Sequence, residues 1–140
     1  MPGKRDYEDI QVGERASASR TVTEDDINAF AGLSGDYNPI HVDEEFAKRT
    51  RWGGRIAHGM LVAGLVTQTL SELGGEGAVH TSQEVSFLVP VHIGDTVTVT
   101  SEVTGKVDEK RRLLIATSWT NQDGVVVITG RGELLLPRDR

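Results

Sequence analysis

The chain has 140 residues, a length that suits one domain whose core buries roughly two-thirds of the surface of the unfolded chain. Its 21 acidic and 15 basic residues give a net charge of -6 with no basic stripe, and aromatics are only 5%, so nucleic acid is not an expected partner. There is no cysteine, which removes disulfides, thiolate metal sites and a cysteine nucleophile.

Met1 to Asp6 is polar and lacks the apolar core of a signal peptide. No apolar run approaches ~18 residues, so a membrane span is not expected and a cytoplasmic protein is. Residues 1–140 read as a single domain. Residues 1–14 are expected to be a loose lead-in, flexible over 1–7. Residues 15–22 read as a polar first strand. Thr23 is a good helix N-cap, with Glu24, Asp25 and Asp26 filling the first turn where the helix dipole favours negative charge. Ile27, Phe30, Ala31 and Leu33 carry helical spacing to residue 34, and Gly35 is a natural stop.

A loop follows, since Pro39 disfavours the α conformation of Asn38. Asp43-Glu44-Glu45-Phe46-Ala47 reads as a second short helix, and 51–55 as a turn. Residues 59–73 are apolar nearly all round, which predicts one long buried helix ended by Gly74-Gly75. Strands are expected at 85–91, 96–106, 112–120 and 125–136. Gly94-Asp95 and Asn121-Gln122-Asp123-Gly124 supply the turns between them. Hairpin-linked strands imply an antiparallel sheet, and the long helix is the only element large enough to cover it. The expected fold class is therefore α+β, a single hot dog domain with a sheet of about five strands wrapped around a central helix.

Asp36 and His41 share the loop interrupted by Pro39. A carboxylate and an imidazole gripping one water form a device for moving protons. Taken singly, Asp36 is more often an Asx-turn residue and His41 a packed or exposed histidine. Gly59 opens the long helix, where the first N–H groups have no internal partner, and a glycine there lets a ligand approach the backbone. A thioester carbonyl aimed at that N–H would be polarised, although close packing alone also explains the glycine. A metal triad of His41, Asp43 and His58 is conceivable, but the Asp36/His41 reading accounts for more residues, so no metal is expected.

Phe30-Ala31-Gly32-Leu33-Ser34-Gly35-Asp36-Tyr37-Asn38-Pro39-Ile40-His41, with Ala47 following, resembles the hydratase motif of the MaoC-like (R)-specific enoyl-CoA hydratases and 3-hydroxyacyl thioester dehydratases. Ala57-His58-Gly59-Met60-Leu61 resembles the second block of that family, and residues 86–95 its third. The resemblance spans about residues 8 to 136. It implies reversible hydration of a trans-2-enoyl-CoA to the (R)-3-hydroxyacyl-CoA. Asp36 and His41 would be the catalytic pair, with His41 favoured as base and Asp36 as proton donor, and the Gly59 N–H the oxyanion donor. Asn38 and Thr67 would support the loop, and Leu70 and Met60 would meet substrate. No cofactor is implied, since coenzyme A or pantetheine arrives as part of the substrate. Acyl-CoA, and alternatively an acyl carrier protein, are the implied partners, and a homodimer is the implied assembly. A dehydratase of fatty-acid synthesis, the catalytic subunit of a heterodimer, and a hot dog thioesterase are the alternatives. The thioesterase is disfavoured because Glu72, near the far end, is the only carboxylate on the central helix. Arg49, Arg51 and Arg55 are candidates for the phosphates of the carrier, although a solvated turn is their commoner fate.

Overall fold

The computed structural model of the protein describes residues 2–138. The chain runs β1 (Arg15–Thr21), α1 (Glu24–Ser34), α2 (Pro39–Val42), α3 (Glu44–Lys48), α4 (Gly59–Ala63), α5 (Val66–Gly74), β2 (Val79–Phe87), β3 (Thr96–Val107), β4 (Arg112–Thr120) and β5 (Val126–Leu135). The strands form one antiparallel sheet in the order β1-β3-β4-β5-β2. It wraps around α4 and α5, which is the hot dog arrangement, and no helix among the described residues is long and apolar enough to cross a membrane.

The period-2 alternation of β4 decides which face turns inward. Leu113, Ile115, Thr117 and Trp119 are buried, while Arg112, Leu114, Ala116 and Ser118 are only half-buried. Val97, Val99, Ser101 and Val103 of β3 join them, and α5 sets Val66, Thr69, Leu70 and Leu73 on this floor. Trp119 Nε1 donates to the Val62 carbonyl at 3.0 Å, fixing α4 to β4. The buried hydroxyls of Thr69, Ser101 and Thr117 satisfy one another in a chain at 2.9 and 2.7 Å.

Four expectations need correction. The central helix is not one rod: Gly64 and Leu65 interrupt it, with tighter i→i−3 bonds from Leu65 to Val62 and from Thr67 to Gly64. Nor is it apolar all round, since Gly64, Thr67, Gln68 and Glu72 are exposed. The strand expected at 85–91 begins at Val79 and ends at Phe87, leaving 88–91 irregular. Finally, the lead-in is anchored. Tyr7 and Ile10 are buried, Lys106 Nζ donates to both of their carbonyls at 2.8 Å, and Arg5 reaches the Leu73 carbonyl at 3.0 Å. Tyr7 also donates to Asp108, and its burial and then that bond push its phenol up to about 12. Of the stretch expected to be flexible, Met1 lies outside the described residues.

Candidate active site

The loop after α1 is built from side chains that bond backbone two residues on. Thr23 and Asp26 close a reciprocal capping box at the start of α1, and Gly35 ends it in the left-handed conformation at φ 80°. Ser34 Oγ then accepts from the Asp36 N–H, Asp36 Oδ1 from the Asn38 N–H, and Asn38 Oδ1 from the Ile40 N–H, each at 3.1 Å. The Asx turn is thus real, but it uses one oxygen of Asp36 and leaves Oδ2 free. Asn38 caps α2 and Pro39 takes its first helical position, where a missing N–H costs nothing. Residues 39–42 are therefore a one-turn helix rather than the expected loop, and His41 sits on it.

Residues 55–58 tie this turn to the rest of the molecule. Arg55 Nε donates to the His41 carbonyl at 2.5 Å, and the Ile56 N–H to the Ile40 carbonyl at 3.2 Å. The Ala57 N–H reaches the Val91 carbonyl at 2.7 Å, and Ile56 forms a bridge with His92. His41 Nδ1 lies 2.7 Å from the Ile56 carbonyl. A carbonyl can only accept, so Nδ1 carries the proton and the neutral ring keeps its lone pair on Nε2. That lone pair faces Asp36 Oδ2 at 3.9 Å. The gap is too long for a direct hydrogen bond. One water bonded to both atoms at about 2.8 Å would subtend about 90° at its oxygen, an acceptable geometry. The two groups meet solvent unequally: the side chain of His41 is 12% exposed and that of Asp36 50%.

Gly59 opens α4 beside this pair, and its N–H is among those with no partner inside the helix. Because α4 has five residues, any polarisation comes from that N–H itself more than from a long helix dipole. A Cβ at Gly59 would stand 2.7 Å from the Phe87 ring, so a larger residue there would have to displace that ring from the cleft wall. His41 and Gly59 line a cleft of about 550 Å³ with Trp52, Met60, Phe87 and Ile128. No carboxylate is among its described lining residues, and Arg51, stacked on Trp52 with its guanidinium carbon 4.2 Å from the ring centroid, is its one permanent cation.

Asp36, His41, Gly59 and Met60 thus come together, with Asn38 shaping the loop. Thr67 and Leu70 do not join them. They border a separate pocket of about 150 Å³, and the Thr67 hydroxyl is spent on the Gly64 carbonyl. Arg55 is no phosphate ligand either: it is buried, bonding Glu24 and Asn28 at 2.8 Å besides His41. Sequence reasoning missed its role and that of the Ile56 carbonyl, because each depends on contacts 14 and 15 residues along the chain.

Asp43 caps α3 through the Phe46 N–H, and it is not among the residues whose donor atoms gather at His41 and His58. Asp36, His41 and His58 do present donor atoms within 4.8 Å of one another. However, the two imidazoles are stacked at 4.0 Å and 26°. An ion bonded to both at about 2.1 Å would have to lie far out of both ring planes, where neither lone pair points. The arrangement suits proton transfer at a bound water instead.

The model of the MaoC-like domain matches residues 8–122. The chain belongs to the MaoC-like family. This MaoC-like protein is 47% identical over 132 residues to the (R)-specific enoyl-CoA hydratase of Rhodospirillum rubrum, covering 94% of this chain and 91% of that one. It is 43% identical over 122 residues to the 3-hydroxybutyryl-CoA dehydratase of Methylorubrum extorquens, covering 86% and 78%. Its fold superposes on the (R)-hydratase from A. caviae involved in PHA biosynthesis with a TM-score of 0.90 at 37% identity, covering 93% of this chain and 99% of that one.

Proposed function

We propose that this MaoC-like protein adds water reversibly to trans-2-enoyl-CoA, giving (R)-3-hydroxyacyl-CoA, with Asp36 and His41 as the acid–base pair and the Gly59 N–H as oxyanion donor. The observation that carries the reading is the unprotonated Nε2 of His41 lying 3.9 Å from Asp36 Oδ2, at the edge of an apolar cleft that His41 and Gly59 line. Relatives named (R)-specific enoyl-CoA hydratase at 47% and 37% identity support the substrate class and the (R) product.

In the hydration direction, the water held between the pair gives a proton to His41 Nε2 as its oxygen attacks Cβ. Electron density moves onto the thioester oxygen, which the Gly59 N–H meets. Cα then takes a proton from Asp36 in its acid form. His41 returns its proton to Asp36 across the short gap, so the pair ends as it began. Nothing in this sequence of steps calls for a metal or a separate cofactor.

The coenzyme A phosphates meet Arg51 at the cleft, and the phosphopantetheine of an acyl carrier protein offers the same chemistry. The protein works in the cytoplasm as a homodimer. Strand β2 is an edge strand with Val79 and Phe87 exposed, and exposed Leu88 and Val89 continue it. Pairing of two copies along this edge protects it.

The test is hydration of crotonyl-CoA and longer enoyl-CoAs, followed by loss of enoyl absorbance and chiral analysis of the product. The (R)-3-hydroxyacyl-CoA without free thiol is the expected product. Release of free coenzyme A instead would make the protein a thioesterase.

A further inference from the structure

We infer that His58 is a positioning residue that holds the acid and the base of the proposed reaction in register; the inference rests on the hydratase reading above. His58 is only 3% exposed, and its contacts are to the Asp36 carbonyl and the His41 ring, so it acts through these neighbours. Its Nε2 lies 3.0 Å from the Asp36 carbonyl. As at His41, a carbonyl partner fixes the proton on that nitrogen, so His58 Nε2–H donates to the backbone of the proposed acid. Its Nδ1 is buried with no hydrogen-bond partner.

One face of the ring carries the base. The imidazoles of His41 and His58 stack at 4.0 Å, and the Phe30 ring also packs on His58 at 4.8 Å and 55°. Phe30 lies on α1, His41 on α2 and His58 at the cap of α4, so one side chain joins three elements. The positive charge that His41 gains from the attacking water lands against an aromatic face, which favours it. Two separate contacts, an edge N–H to Asp36 and a face to His41, explain a buried imidazole that no phenylalanine or glutamine reproduces in full. They also explain why an orphan Nδ1 is tolerated: the contacts at the other edge and at the face set the ring's orientation.

The two contacts can be removed separately. His58→Gln keeps an amide N–H that reaches the Asp36 carbonyl but has no ring. His58→Phe keeps a ring on His41 but has no donor. With crotonyl-CoA as probe and wild type as control, His58→Phe lowers kcat by about 10- to 100-fold, the scale of a misplaced catalytic group, while KM stays within about twofold. His58→Gln retains kcat to within about fivefold of wild type. In an Asp36→Asn background, His58→Phe has little further effect, because it acts through a residue already disabled. If His58→Phe does not fold, His58→Asn, whose shorter amide falls short of Asp36, takes its place. Wild-type kcat in the folded Phe or Asn variant, or losses confined to KM, overturns the inference with the hydratase reading intact. An inactive wild type overturns both.

Discussion

Arg55→Met tests how the base is held. The methionine keeps an apolar stem of similar reach but loses the guanidinium fork, and with it three hydrogen bonds: to the His41 carbonyl, Glu24 and Asn28. Losing one partner of a fully buried ion pair costs about 3–5 kcal/mol. Here the Glu24 side chain is 64% exposed and Asn28 is exposed, so water reclaims both. What remains is the orphaned His41 carbonyl, which puts the expected cost at about 2–3 kcal/mol. For a chain of this size that corresponds to a fall in Tm of roughly 5–12 °C. The larger effect is on rate. The His41 carbonyl lies one peptide from the Ile40 carbonyl that Ile56 holds, so loosening it lets the imidazole drift from the Ile56 carbonyl that sets its tautomer. A drift of about 1 Å can cost about 100-fold in kcat. The assay is thermal melting by circular dichroism, with crotonyl-CoA hydration measured well below the variant's Tm. A folded Arg55→Met protein with wild-type kcat would refute the argument that this guanidinium holds the base.

Arg51→Ala should raise KM for crotonyl-CoA by about fivefold, the scale of one exposed phosphate contact, while leaving the phosphate-free crotonyl N-acetylcysteamine thioester unaffected; equal effects on both would remove the phosphate role. Light scattering on the purified protein should give a mass twice that of one chain, and a monomer that still turns over would dissociate the edge-pairing proposal from activity. Asp26→Ala should cost about 1 kcal/mol by opening the capping box of α1. The Arg20 hydrogen bonds hold the Asp26 carboxyl below its ordinary 3.8, so its stabilisation is fully present above that pH and is lost as pH falls through the lowered value. The Tm gap between wild type and variant should therefore be full at pH 7 and narrow as pH falls below about 4; a gap that widens as the pH falls would contradict the assignment.

Local chemistry made much of the fold readable. The Thr23 cap, the Gly35 stop and the strand 112–120 are set by near neighbours and by period, and they stand where composition puts them. The start of β2 escaped because it is an edge strand: His80, Thr81, Ser82, Gln83 and Glu84 are all exposed, so no alternation marks it. One-turn α2 is hidden because proline breaks a helix interior, whereas at the first helical position, where Pro39 stands, it favours one. In the site, Asp36, His41 and Gly59 read singly as a turn residue, a packed or exposed histidine and a packing glycine, and it is the family resemblance that groups them. Thr67, which the resemblance implies would support the loop, shows what a matched position omits. On a helix bent at Gly64, Thr69 is the buried hydroxyl that bonds Ser101, and Thr67 faces outward. Arg55 and His58 act across 14 and 22 residues of sequence, and no local pattern distinguishes them from a surface cation and a packed ring.

The claim on which the rest depends is that Asp36 and His41 move the protons of hydration. Asp36→Asn and His41→Ala, each checked for folding by circular dichroism, should lower kcat/KM for crotonyl-CoA by at least ~100-fold. A near wild-type rate in either folded variant would contradict the account.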